Sequence, residues 1–242
     1  MLVCDNLNMK FPVIIAARLG SSRLPGKALL QMLNGTCMLD EIIKRIRSSD
    51  VVGEICIATT RNIEDDRLAE FAAVNDILLF RGSEDNVAER IYNAAKYLNA
   101  EYFYEVLGDN PLIDPDFFQI LLNIYSSNQN LKYASFNTKE YNFDSNSEFP
   151  VGVRVQLVKA TLFEKILATN NSYFFEHATS FFYDKIDQID HFLVQNHDVM
   201  DCGHYNLAVN TLDDFLLVSA VLNESSNFNW RNSLELYKLL SE

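Results

Sequence analysis

The stretch Pro12 to Ala17, Pro-Val-Ile-Ile-Ala-Ala, contains no polar side chain, and it constrains the fold more than any other feature. A strand with one wet face alternates apolar and polar residues, whereas a strand covered on both faces reads as a continuous apolar run. Such a strand needs helices above and below it, as in a mostly parallel sheet. The chain goes on to supply them. Met38 to Arg47 spaces Met38, Leu39, Ile42, Ile43 and Ile46 as one helix face. Glu54 to Thr59 reads as a second strand, and Glu64 to Ala73 as a helix with Leu68, Phe71 and Ala72 together. Ile77 to Phe80 is a third, short strand. Asp85 to Leu98 is a helix striped by Val87, Ile91, Ala94, Ala95 and Leu98. Tyr102 to Leu107 is a fourth strand, and a helix starting near Pro115 turns Phe117, Phe118, Leu121, Leu122 and Ile124 inward.

Further along, Asn137 to Glu148 lacks apolar periodicity and reads as an exposed loop. Phe149 to Leu157, His191 to Gln195 and Tyr205 to Val209 are expected strands. Thr161 to Leu167, Tyr173 to Tyr183 and Asp213 to Leu222 are expected helices. Repeated strand-helix units predict an α/β fold of three α/β/α layers around a mostly parallel mixed sheet. With 242 residues, 48% of them hydrophobic, the chain can bury a large core. One domain over residues 11–242 is expected, behind an extension of residues 1–10 in which Met9 is an alternative start.

The first apolar run leads into Arg18-Leu-Gly-Ser-Ser-Arg-Leu-Pro-Gly-Lys27, a loop with three cations, two glycines and two hydroxyls. The chain as a whole has 20 basic and 33 acidic side chains, for a net charge of −13. A cationic loop on so acidic a protein points to an anionic ligand. Loops at the carboxyl ends of parallel strands are where open α/β sheets bind ligands, and glycines let backbone N–H groups approach phosphate oxygens. The spacing matches neither Gly-x-x-x-x-Gly-Lys-Ser/Thr nor Gly-x-Gly-x-x-Gly, which sets aside a Walker NTPase and a dinucleotide-binding fingerprint. A solvated surface turn is the bland alternative.

The acidic balance argues against nucleic acid and anionic membranes as partners, since both require a basic face. No segment approaches the roughly 18 consecutive apolar residues of a membrane span, and the expectation is a soluble, cytoplasmic protein. Cys4, Cys37, Cys56 and Cys202 lack zinc or redox spacing and are expected to be reduced structural thiols. A second site candidate is Gly108-Asp109-Asn110-Pro111, where the fourth strand ends. Asp109 there is placed to bridge Mg²⁺ to phosphate, or else to serve as an ordinary turn carboxylate.

Together these residues carry a family likeness. Ala17 to Lys27 resembles the signature loop of the cytidylyltransferase family that includes CMP-Kdo synthetase, and within it the spore coat polysaccharide biosynthesis protein F branch. In the family's order follow Ala58-Thr59-Thr60 with Asp65-Asp66, Arg81 to Val87, Gly108 to Pro115, Phe149-Pro150, Glu176-His177 and Asn210 to Asp214. The resemblance implies a GT-A-like, Rossmann-like nucleotidyltransferase that joins a nucleoside triphosphate, CTP in the first place, to a sugar or sugar acid and releases pyrophosphate. It implies that Arg18 and Lys27 hold the triphosphate with help from Arg23, Gly20 and Ser21. Ala16, Ala17 and the Ser83 region would border the base, and Asp109 would be the main Mg²⁺ ligand. Relatives are often dimers.

Three positions depart from the family's pattern. Relatives carry Asp-x-Pro-Glu-Asp where this chain has Asn210-Thr211-Leu212-Asp213-Asp214, so a second metal ligand becomes the neutral amide of Asn210. Where the branch reads Gly-x-Asp-x-Glu, Arg154 and Gln156 replace both acids. Either Arg154 meets an anionic group of a changed acceptor, or the chain is a nucleotide-binding protein with weakened catalysis, or Arg154 is a surface strand residue. His177 is placed to reach an acceptor or to serve as a hydrogen-bonded structural histidine. A GT-A glycosyltransferase is a further alternative, although the Asp-x-Asp metal motif is missing at Asp109.

Overall fold

The computed structural model describes residues 9–141, 147–197, 202–225 and 228–241. Residues 1–8 of the expected extension, Cys4 among them, and 142–146 of the expected loop lie outside these. Seven strands form one sheet in the order β3-β2-β1-β4-β6-β5-β7. They are β1 (Phe11–Ala16), β2 (Val52–Thr60), β3 (Leu78–Gly82), β4 (Tyr102–Leu107), β5 (Tyr133–Phe136), β6 (Gln156–Lys159) and β7 (His191–Val194). The pairs β1–β2, β1–β4, β2–β3 and β5–β7 are parallel. β6 runs antiparallel to both β4 and β5, so the sheet is mixed but mostly parallel.

The apolar run of β1 is buried from both sides. Val13 and Ile15 join one core and Ile14 the other, and all three are fully covered. The first core is closed by α1 (Met38–Arg47), α2 (Asp66–Val74), α4 (Asp116–Ser127), α8 (Leu212–Glu224) and α9 (Trp230–Ser241). The second is closed by α3 (Val87–Tyr97), α5 (Thr161–Ala168), α6 (Ser172–Glu176) and α7 (Ala178–Asp184). These are the three layers that a doubly buried strand requires.

Several expected elements differ. The predicted strand Phe149 to Leu157 begins only at Gln156, because the chain turns at Gly152 with φ 98°. A Cβ there would lie 2.4 Å from the Ala208 nitrogen, an approach that only glycine allows. Tyr205 to Val209 is not a strand either, and forms an isolated bridge between Val151 and Asn206 outside the named strands. The expected helix Tyr173 to Tyr183 is broken at His177 (φ −111°, ψ 63°) into α6 and α7. The loop from Asn137 is not exposed throughout, since Asn137, Thr138, Tyr141 and Glu148 are buried. β5 and α9 have no counterpart in the sequence reading. Buried Cys37 and Cys56 have thiols pushed up to about 12, chiefly by burial, which keeps them unreactive. No helix among the described residues is long and apolar enough to cross a membrane.

Candidate active site

The loop after β1 is fixed from within and from β2. The Ser21 and Gly26 nitrogens both donate to the Leu19 carbonyl at 2.8 Å. Leu19 in turn donates its own N–H to Asp65 Oδ1 at 2.8 Å. The other oxygen of this fully buried carboxylate accepts from the Thr59 hydroxyl (2.9 Å), the Thr60 nitrogen (3.1 Å) and the Thr60 hydroxyl. Burial alone would raise the pKa of Asp65. The Thr60, Leu19 and Thr59 hydrogen bonds outweigh it and hold the carboxyl below its ordinary range.

β4 ends against the start of the same loop. A Cβ on Gly108 would lie 2.8 Å from the Ala16 carbonyl oxygen, so only glycine lets the Gly108 N–H reach that oxygen at 3.0 Å. The close approach brings Asp109 to the loop, with Asp109 Oδ2 3.5 Å from Lys27 Nζ. Lys27 also donates to the Val209 carbonyl at 2.6 Å, and Val209 donates its N–H to the Asp109 carbonyl at 2.8 Å. Burial lowers the pKa of Lys27 and Asp109 opposes the shift.

These elements enclose a cleft of about 440 Å³ over the carboxyl ends of β1 and β4. Ala16, Ala17, Arg18, Ser21, Arg23, Lys27, Asp109 and His177 all line it. Arg18 lies 3.5 Å from Glu84. Gly20 faces the carboxylate of Glu64, the movable end of a flexible side chain whose Oε1 lies 2.5 Å from where a Cβ would stand. Ser83 is turned to the start of α3, where its hydroxyl accepts from the Asn86 nitrogen at 3.1 Å. Its carbonyl holds Arg90 Nη1 at 2.5 Å. Asn210 comes to the loop as well, with Oδ1 accepting from Arg23 Nη2 at 2.7 Å and N–H donating to Asp214 Oδ2 at 2.9 Å.

Arg154 is not a surface strand residue. It is 4% exposed, pairs with Glu140 at 3.0 Å, donates to the Thr138 hydroxyl at 2.8 Å and lies over the rings of Tyr183 and Tyr141. Burial would lower its pKa, but Tyr141 and Glu140 reverse that and raise it. His177 is exposed at the break between α6 and α7, its ring centroid 5.1 Å from that of Tyr173.

Arg90 and Glu105 are among the lining residues that the sequence reading did not single out. Arg90 is buried, with its pKa lowered to about 10, mainly by burial and then by Arg18. Glu105 is a lone acid within the apolar strand β4, and that contrast is the signal by which it was findable. Among the described residues no group of three His, Cys, Asp or Glu side chains forms a metal cluster. Asp109 supplies one part-exposed carboxylate beside cations. This donor set suits Mg²⁺ that keeps its waters and shares phosphate oxygens, rather than an all-protein cage.

Known proteins resemble this chain in sequence and in fold. The family model described as cytidylyltransferase matches residues 12–199. An uncharacterized protein of Methanocaldococcus jannaschii is 29% identical over 210 residues, covering 86% of this chain and 82% of the relative. The spore coat polysaccharide biosynthesis protein SpsF of Bacillus subtilis is 25% identical over 241 residues, covering 94% and 92%. A solved cytidylyltransferase from Leptospira borgpetersenii shares the fold with a TM-score of 0.82 at 24% identity, covering 96% of this chain and 94% of that one.

Proposed function

Because this chain belongs to the cytidylyltransferase family, we propose that it transfers the cytidylyl group of CTP to a sugar or sugar acid, releasing pyrophosphate, in the building of a surface polysaccharide or glycoconjugate. The observation that carries this reading is the convergence of Lys27, Asp109 and the Arg18 and Arg23 loop on one cleft. An acceptor oxygen attacks the α-phosphorus in line. As that P–O bond forms, the acceptor's hydroxyl proton passes to water, the bond from the α-phosphorus to the oxygen bridging to the β-phosphorus breaks, and pyrophosphate leaves with the electron pair.

The residues' work is positioning and charge neutralisation. Arg18 and Lys27 hold the triphosphate, with Gly20 and Ser21 framing it, and Arg23 turns from Asn210 onto the phosphates. Ala16 and Ala17 floor the base, with Ser83 at its edge. Magnesium, when bound, adds positive charge on the phosphates. Asp109 would hold it, and Asn210 is available as a weaker partner once Arg23 lets go. Arg154 is spent on Glu140, so it shapes the acceptor end rather than gripping an anion, and His177 stands at the rim for the acceptor. A homodimer and a cytoplasmic setting complete the reading.

The Arg23–Asn210 contact favours a second reading, nucleotide binding without turnover. Both are tested by incubating the protein with each of the four NTPs, Mg²⁺ and a panel of sugars and sugar acids while pyrophosphate is measured, alongside nucleotide calorimetry. CTP-dependent release supports the transferase. Tight CTP binding without release supports the second reading, and absence of both refutes each.

A further inference from the structure

Glu105 is 1% exposed and lines the cleft, and neither carboxylate oxygen has a hydrogen-bond partner among the described residues. It is the single charged residue of β4, which otherwise reads Tyr-Phe-Tyr-Val-Leu. The residue registered against it on β6 is Gln156, whose Oε1 already accepts from the Tyr133 hydroxyl. Arg154 faces it electrostatically but gives its Nη atoms to Glu140 and Thr138. A carboxylate can only accept hydrogen bonds while it stays ionised. Left unpaired in a buried place, it costs stability. Packing therefore gives no reason for it.

We propose that Glu105 is the specificity residue of the acceptor subsite, accepting a hydrogen bond from a hydroxyl or amino group of the sugar. This rests on the cytidylyltransferase reading of the same cleft. The charge facing Glu105 assigns it to the acceptor rather than the nucleotide. Arg154 acts on Glu105 electrostatically and is itself held by Glu140 and Tyr183, and all three come from the second half of the chain, whereas the cations of the triphosphate loop follow β1. The acids absent at positions 154 and 156 thus have a counterpart one strand away. The subsite prefers a hydrogen-bond donor to an anion.

The test uses Glu105→Gln and Glu105→Leu in the full chain. Both variants are expected to melt at or above the wild-type temperature, because an unpaired buried acid has been removed. Both should bind CTP within twofold of wild type. With the best acceptor from the pyrophosphate screen, Glu105→Gln should raise the acceptor KM at least tenfold and leave the CTP KM unchanged. A sharply lower melting temperature, weakened CTP binding or an unchanged acceptor KM each overturns the proposal. A wild type that binds CTP but turns over no acceptor refutes the transferase reading alone. Glu105 is then judged by NMR titration of glucosamine and glucose onto the CMP-bound protein. Loss in Glu105→Gln of a signal seen in the wild type supports the subsite, with the two sugars separating amino from hydroxyl recognition. No variant-sensitive signal overturns it.

Discussion

Lys27 is held where its charge is least comfortable and most useful, half-desolvated and 3.5 Å from Asp109. A lysine of that kind gives little to folding and much to a polyanion. Lys27→Ala is expected to weaken CTP binding by roughly tenfold to a hundredfold, the scale of a lost charge-assisted contact. Its unfolding free energy should move by less than about 1 kcal/mol. Calorimetry and denaturant melts read the two effects separately. Glu105 makes the opposite demand. Burial lifts its pKa from 4.5 to about 7, against the pull of Arg154, with Tyr133 the other titratable group beside it. The folded protein therefore binds this proton more tightly than the unfolded chain. The stabilising contribution is complete below about 4.5 and is lost as pH rises through about 7, an effect of roughly 3 kcal/mol. Glu105→Gln should flatten that part of the stability profile, and persistence of the slope in the variant would assign it to another group.

Among the elements, what the sequence made legible follows from local periodicity. β1 to β4 and the helices between them each carry their own apolar stripe, and all appear near the expected bounds. β5 has four residues, all buried, and is defined by β6 and β7 rather than by a pattern of its own. Gly152 and His177 break their elements through backbone geometry that hydrophobic spacing does not report. Gly152→Ala should cost about 2–4 kcal/mol, since the new Cβ meets the Ala208 backbone and the residue must hold a positive φ. A melt within about 0.5 kcal/mol of wild type would show that the turn relaxes freely. The loop's anchor makes a second demand. Asp65→Ala leaves the Leu19, Thr59 and Thr60 donors unpaired, so faster amide exchange at Leu19 is expected together with a loss of about 2–4 kcal/mol. Because the Asp65 pKa is depressed, its contribution is present above the ordinary carboxylate range and disappears as pH falls through the folded value.

Over the whole molecule, a net charge of −13 surrounds one cationic loop. The loop attracts a triphosphate that the rest of the surface repels, so the CTP association rate should fall as salt is added, because screening removes the short-range attraction at the cleft. A rate that climbs with salt would mean the global repulsion dominates. The convergence of Arg18, Ser21, Arg23, Lys27 and Asp109 was legible because each sits in a strand-end motif. Glu105 stands out in the sequence as an acid in an apolar strand, but its place in the cleft, like that of Arg90, depends on which layer a strand or helix faces. The loop's ties reach in both directions along the chain. Asp65 lies 46 residues beyond Leu19, whereas the Lys27–Val209 and Arg23–Asn210 contacts join positions 182 and 187 residues apart. A ribosome therefore delivers this loop's supports at two separate times. The nascent chain can brace the loop's backbone once Asp65 is made, and Arg18 and Lys27 can meet Glu84 and Asp109 soon after, but Lys27 and Arg23 reach Val209 and Asn210 only when the chain has grown 182 and 187 residues beyond them.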